Sequence, residues 1–536
     1  MRRWGNYAAN HPGLILSAGA LVLHLWVNGG YGCFVDEIYF IVCGQHPAWG
    51  YVDQPPLAPL IAAGAWSLFG GNLLGLRLVP ALAAAGLVAL TPEAARRMGG
   101  GRFAQWLAGL TIMAAPVLSA DGLLLSADTL QPLAWLAAAL LLEAAIERDR
   151  TGAWLALGAI AGAAFLAKYT MGFFLVAMAV GVALTPQRRV LARRGPWLAG
   201  GLALLIVLPN LVWQQTHGWP FLQLNEAAAQ GRNLALGPLE YLVQEMLVIG
   251  PLTAPVWIAG LVGLAVWPRL AAWRWLAIAW AALMAMMIAI HGKSYYPAAI
   301  YPPLLAAGAA AIEAGVKARA ARAAILAATV LGGVALLPFT LPVLPVERFI
   351  AYEHLFGQGG AAHTQAAAID RQPVDELPPN YAYMFGWREM AAAVGHAYQA
   401  LPPADRARAV FLGRDYAEAS AIDVFGAPGR MPPAISARNN YFLWGTRGHD
   451  GAVVFLLSTA PRDDVIKANA ALGAAARIGA PGAVRAELLK TYGSAEPVAR
   501  IDTAYAYPYE RGLTLWLCRD RKVPLARDWQ KMKLYF

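Results

Sequence analysis

The chain has 536 residues, 58% of them hydrophobic and only 14% charged; soluble domains carry about 25% charge, so the composition points to lipid. Its formal charge of +10 does not argue for nucleic acid, because the arginines stand in short clusters between apolar runs, the pattern of membrane orientation. Three cysteines, Cys33, Cys43 and Cys518, with no CxxC spacing, give no zinc site and no disulfide framework, although Cys33 and Cys43 could pair if their loop leaves the cytoplasm.

The first residues carry Arg2 and Arg3 and lead into the run Leu14–Val27. No small-residue cleavage site follows, so this run reads as a retained first helix and not as a signal peptide. A spanning helix needs about 20 mostly apolar residues, and about eleven such stretches follow one another. They lie near 12–29, 72–92, 104–120, 128–146, 153–167, 169–185, 197–214, 240–266, 274–290, 298–315 and 323–342. The region 153–185 is either a tight pair or one long helix. One set of connections carries Arg96, Arg97, Arg102, Arg148, Arg150, Arg188, Arg189, Arg193, Arg194, Arg269, Arg274, Lys317, Arg319 and Arg322, whereas the alternate set is nearly free of Lys and Arg. The positive-inside rule then places the N-terminus in the cytoplasm and everything after about residue 343 outside.

From Val346 onward the chain becomes more polar, and short β-type runs appear at Ala409–Leu412, Val453–Leu457, Val498–Ile501 and Leu513–Leu517. Helical patterns over Trp387–Leu401 and Asp464–Arg477 alternate with them. The expected fold is therefore a polytopic α-helical membrane domain over residues 1–342, with outer loops 30–71 and 215–239, followed by an extracytoplasmic α/β domain over 343–536.

The outward connections hold most of the unusual chemistry. The first carries Asp36, Glu37 and Asp53 among aromatics. If Phe34–Cys43 is helical, Asp36 and Glu37 point about 100° apart, so one can face a site while the other caps or pairs. A carboxylate at a membrane surface suits a general base, since burial raises its proton affinity; helix capping by Asp36 is the plainer alternative. The second holds Asp121 and Asp128, which a continuous helix would bring to one face, though capping explains Asp128 simply. Lys168 stands within the apolar region 151–185, where an ionisable group calls for an anionic partner such as a lipid phosphate. The stretch Gln214–Gln244, with His217, Glu226, Arg232 and Glu240, is amphipathic enough to lie along the interface, and a lone histidine such as His217 is more often structural than a ligand. The last outward turn, His291 to Pro297, contains Lys293, Tyr295 and Tyr296, either an aromatic belt or a grip for a phosphate and a sugar ring. No P-loop, GxSxG, HExxH or dinucleotide fingerprint occurs.

FVDEIYF, GYVDQPP, SADTLQPLAW, FLAKYT and KSYYPAAIYPP, in this order, resemble the family 39 glycosyltransferases and the related aminoarabinose transferases, GT-C fold enzymes like the protein O-mannosyltransferases. GWREMAAAVGHAY, YAEASAIDVFG and PPAISARNNYFLWG are similar to the outer domain of bacterial members. The resemblance implies inverting transfer of a sugar from a polyprenyl-phosphate donor to an extracytoplasmic acceptor: a glycan, lipid A or another lipid, or a protein. It implies Asp36 as base with Glu37 adjoining, Lys168, Lys293, Tyr51, Tyr295 and Tyr296 at the donor phosphate, and Asp53, Gln54, Asp128, His217 and His291 toward sugar or acceptor. Aminoarabinose transferases carry an acidic-Lys-Pro sequence where this chain has Asp53-Gln54-Pro55, which weakens any case for aminoarabinose as the sugar. Members differ in metal use, and no His/Asp cluster compels one, so no cofactor is assigned and a divalent metal stays open. The expected location is the cytoplasmic (inner) membrane of a bacterium, with the active site outside and no nucleic-acid partner. A transporter or flippase of a lipid-linked sugar is the rival, but it predicts pseudo-symmetric halves, and no repeat is visible.

Overall fold

The computed structural model describes residues 12–231, 233–234, 236–356, 376–459 and 481–535. Arg2, Arg3, Arg232 and the helix expected over Asp464–Arg477 lie outside the described residues.

Helices occupy each of the apolar stretches. In chain order they are α1 (Pro12–Val27), α2 (Val35–Gln45), α3 (Leu57–Leu68), α4 (Leu78–Arg97), α5 (Arg102–Ala114), α6 (Pro116–Asp121), α7 (Gln131–Arg148), α8 (Thr151–Ala167) and α9 (Thr170–Ala183). Then come α10 (Arg194–Thr216), α11 (Pro220–Gly231), α12 (Pro238–Ile249), α13 (Ala254–Val266), α14 (Arg274–Ala289), α15 (Tyr301–Gly315) and α16 (Arg319–Leu336). The breaks have local causes. Pro116 forces Ala115 into an extended conformation, ψ 114°, and so separates α5 from α6. Gly250, at φ 103°, lets the chain bend by 118° between α12 and α13. Lys168 itself is extended and splits α8 from α9, which makes 153–185 a pair.

Among the described residues, five helices are long and apolar enough to cross a membrane, or up to seven if each bent pair counts as one span. The expected eleven therefore exceeds what length and composition support. The shortfall comes from shorter apolar helices such as α1 and α8, and from α7, whose last turns carry Glu143, Glu147 and Arg148. Between helices in lipid the hydrophobic effect is weak and close packing takes over. Small residues supply it: a Cβ on Gly260 of α13 or on Gly308 of α15 would collide with a carbonyl of the facing helix.

The basic connections meet one another at one end of the bundle. Glu313 accepts the Gly101 N–H and pairs with Arg322 at 3.6 Å, and Arg193 pairs with Asp149 at 3.3 Å. The acidic and aromatic connections gather among themselves at the other.

The chain then forms α17 (Trp387–Gln399), β1 (Ala409–Gly413), α18 (Tyr416–Phe425), β2 (Ala434–Ser436), α19 (Asn439–Trp444), β3 (Val453–Thr459), β4 (Tyr492–Ile501), β5 (Leu513–Arg521) and α20 (Leu525–Met532). The sheet order is β2-β1-β3-β5-β4. β1 runs parallel to β2 and β3, while β5 is antiparallel to β3 and β4. The four expected strands all fall within observed ones; β2, only three residues long, had no readable alternation.

This sheet does not pack on its own helices alone. Ile38 and Phe40 of α2 share one apolar cluster with Phe411, Ile422 and Leu515, and Tyr39 meets the ring of Tyr416 at 4.4 Å. The helix of the first loop is thus part of the core of the strand-bearing region. Cys33 and Cys43 are both free, buried thiols, so the disulfide that their spacing left open is not formed.

Candidate active site

The first loop is held by a buried ion pair. Arg77, at the start of α4, and Glu37, in the first turn of α2, are both fully buried and 2.9 Å apart. Arg77 donates through Nε and a terminal nitrogen to the two oxygens of Glu37, both at 2.9 Å. It also donates to the carbonyls of Asn28, Gly30 and Gly32. Glu37 further accepts the N–H of Phe34 at 2.8 Å and of Leu125 at 3.2 Å. A charge that leaves water needs its hydrogen-bonding capacity filled, and here it is. The pair ties the end of α1, the start of α2 and the loop after α6 to one point.

That brace sets the direction of the neighbouring Asp36, which is half-buried on the other side of the same turn. Asp53, from the far end of the loop, faces it. The Tyr39 hydroxyl donates to Asp53 Oδ1 at 3.3 Å and Asn439 Nδ2 donates to Oδ2 at 3.2 Å. Burial pushes the Asp53 carboxyl up to about 7, and the charge of Asp36 adds to the rise. The Asp36 charge therefore favours the protonated form of Asp53. Asn440 anchors the loop behind them: its Oδ1 accepts the Val52 N–H at 2.9 Å.

A second group stands at Lys168. Its Nζ donates to both oxygens of Asp128, at 2.6 and 2.5 Å, and lies 4.6 and 5.2 Å from the ring centroids of Tyr296 and Tyr295. Lys293 Nζ lies 5.9 Å from the Tyr295 ring. The lysine and aspartate side chains are 14% and 21% exposed, so the pair sits at an opening and is not sealed in the core. Beside it lies a cleft of about 10 Å³ lined by Asp121, Asp128, Gln131, Tyr295 and Tyr296, far below the ~300–1,000 Å³ of ligand pockets. The two groups are joined through Tyr169, next to Lys168. Gln214 Nε2 donates at 3.0 Å both to the Tyr169 hydroxyl and to the Tyr51 carbonyl, the loop strand that leads to Asp53.

Several expected site residues have other occupations. Glu37 is spent entirely on Arg77 and two backbone N–H groups, so it braces and does not face a substrate. Tyr51 is buried, and its hydroxyl donates to the Cys43 carbonyl at 2.7 Å, which leaves no proton for a phosphate. His217 is exposed at the end of α10, stacked on Trp213 at 4.1 Å. His291 is exposed, in a left-handed conformation with φ 50°, and its carbonyl accepts from Asn233. Gln54 is buried behind Asp53. Asp128 is not a cap: α7 starts after Leu130, and the carboxylate goes to Lys168. Asp121 and Asp128 do not share a helical face, because the chain turns at Gly122.

Arg77 was invisible as a partner, lying 40 residues from Glu37 and apparently at a helix end. Asn439 and Tyr416 stand in segments similar to the outer domain of bacterial glycosyltransferases, but a left-handed Asn, φ 43°, carries no signal in one sequence. Among the described residues, no three His, Cys, Asp or Glu side chains converge as a metal site.

Residues 53–213 match the dolichyl-phosphate-mannose-protein mannosyltransferase family, a stretch that holds Asp53, Asp128 and Lys168. A lipid A galacturonosyltransferase, RgtD, of Rhizobium johnstonii is 28% identical over 225 residues. Over these stretches the chain is thus similar to glycosyltransferases of the protein-mannosyltransferase type. The alignment with RgtD covers 41% of this chain and 47% of that relative. In fold, the chain is similar to ArnT from Cupriavidus metallidurans over 94% of its length and 97% of that chain. The TM-score is 0.58 for the apo state, at 15% identity, and 0.55 for the form bound to undecaprenyl phosphate, at 16% identity.

Proposed function

We propose that this GT-C chain moves a sugar from a polyprenyl-phosphate donor to a hydroxyl of an extracytoplasmic acceptor, with inversion at the anomeric carbon. The observation that carries the reading is the half-open Lys168–Asp128 pair, walled by Tyr295 and Tyr296 and joined through Tyr169 and Gln214 to the Asp36–Asp53 carboxyls. One group suits an anionic phosphate and the other suits a proton transfer.

In this scheme the donor phosphate displaces Asp128 from Lys168, and Lys293 approaches from the side of Tyr295. Asp36 accepts the proton of the acceptor hydroxyl as its oxygen bonds to the anomeric carbon. The bond from that carbon to the phosphate oxygen breaks, and the diester monoanion leaves as a monoester dianion. Lys168 is placed where that extra charge develops, which is where a fixed cation lowers a barrier most. Asp53 and Gln54 border the sugar or the acceptor.

The carrier is supported by the undecaprenyl phosphate named in one ArnT structure, and a lipid A-type acceptor by the name of the RgtD relative. The distribution of basic residues supports an inner-membrane location, a cytoplasmic N-terminus, an outward site and up to eleven membrane-crossing segments. The test is transfer of label from a panel of polyprenyl-phosphate sugars to membrane acceptors by the wild type and by Asp36→Asn. Loss of a general base typically lowers the rate about 10²–10⁴-fold. Undiminished transfer by the variant sinks the role of Asp36, and no transfer from any donor by the wild type sinks the enzyme reading.

A further inference from the structure

The strand-bearing region does more than cover the helical bundle. Asn439 opens α19 at a left-handed φ of 43°, a conformation that costs most residues energy but that Asn tolerates. The turn is held from both sides: Asn439 N–H donates to the Leu534 carbonyl at 3.4 Å and Leu534 N–H to the Ala437 carbonyl at 3.1 Å, while Trp529 Nε1 donates to the Phe442 carbonyl at 3.0 Å. The next residue, Asn440, grips Val52 and donates to Cys43 Sγ at 3.5 Å. The C-terminal segment thus fixes a strained residue so that its amide reaches Asp53 Oδ2 at 3.2 Å.

From this geometry we infer that Asn439 is a positioning residue of the transfer site, contributed by the C-terminal region, which holds the Asp53 carboxyl toward the turn that carries Asp36. This rests on the reading of Asp36 as the base. While the pair carries a single negative charge, Asp36 can take the acceptor proton and the site can still admit an anionic donor. Once Asp53 also ionises, a second negative charge meets that donor. The groups that face Asp53 are Asp36, Tyr39 and Cys43 on α2, Tyr169 at the start of α9, and Asn439 on α19. Of these, Asn439 is the one whose removal takes a donor from the ionised form without disturbing the brace at Glu37. The backbone N–H of Asp53 itself, then the Asn439 amide and the Tyr39 hydroxyl, are what favour the charge.

The experiment is the pH dependence of kcat/KM for label transfer by wild type, Asn439→Gly and Asp53→Asn, each checked for thermal unfolding in detergent. Glycine keeps the left-handed turn and deletes only the amide. In the wild type kcat/KM falls as pH rises through about 7. Asn439→Gly moves that fall upward by about one pH unit, tenfold in proton affinity, the scale of one hydrogen bond to a charged group. Asp53→Asn abolishes the fall, and adding Asn439→Gly to it changes the profile no further. An unmoved fall in Asn439→Gly, whether activity is kept or lost, overturns the proposal, since a merely structural residue would lower activity at every pH alike. A wild type with no transfer from any donor counts against the transferase reading itself and is told apart by that blank.

Discussion

Replacing Arg77 by Met removes five hydrogen bonds from a fully buried site. Glu37 is left buried with two backbone N–H donors, and the carbonyls of Asn28, Gly30 and Gly32 lose theirs. Breaking a buried ion pair from one side costs about 3–5 kcal/mol, mostly because the surviving charge is stranded. At roughly 2 °C per kcal/mol for larger domains, Arg77→Met is expected to unfold about 6–10 °C below the wild type in a thermal scan in detergent. The loss is specific to the stranded charge, so Arg77→Met combined with Glu37→Met is expected to recover a large part of it. Transfer should fall further than stability, because Asp36 sits on the turn that the pair orients. A single variant that melts within about a degree of the wild type, or two losses that simply add in the double variant, would refute the brace.

Three other outcomes follow from the same contacts. Lys168→Met is expected to lower kcat by about 10²–10³-fold, the range for deleting one group that stabilises developing charge; a rise in donor KM at unchanged kcat would show that Lys168 only binds. Tyr51→Phe should leave donor KM unchanged and lose about 0.5–1.5 kcal/mol of stability, the worth of its bond to the Cys43 carbonyl; a large rise in donor KM would return Tyr51 to the phosphate. Asp53 holds its proton up to about 7 when folded, against an ordinary value of 3.8. The folded state therefore binds more protons than the unfolded one between these values. The stability this gives is complete below about 3.8, declines as pH rises, and is gone above about 7. Unfolding temperatures at pH 5 and 8 should thus differ more in the wild type than in Asp53→Asn; equal differences would count against the raised proton affinity.

The sequence carried the helices and the polarity of their connections because both are local signals: apolar runs of spanning length, and arginines repeated on alternate turns. It also carried Asp36, Asp53, Asp128 and Lys168 as unusual residues in outward turns. It did not carry what each one touches. Asp128 looked like a helix cap because α7 begins nearby, yet its partner lies 40 residues away. Glu37 looked like a second catalytic acid because it adjoins Asp36, whereas the helical turn sends it inward to Arg77. Tyr51 sits in a loop that resembles a phosphate-contacting one, but its hydroxyl is turned to the carbonyl of Cys43. The bends of α12–α13 and α5–α6 follow from Gly250 and Pro116, which an apolar run of sufficient length conceals.

The packing of α2 into the sheet also sets an order of events during synthesis. Val52 and its partner Asn440 stand 388 positions apart, and a ribosome adding ~5–20 residues per second needs roughly 20–80 s to cover that distance. Through that interval the first loop lacks half of its core, and Asp53 lacks Asn439. The contacts of Val52 and Asp53 are therefore completed only after Asn439 and Asn440 have been made and folded. A chain stopped before β1 should keep its membrane helices but expose the first loop to added protease, while the full chain protects it.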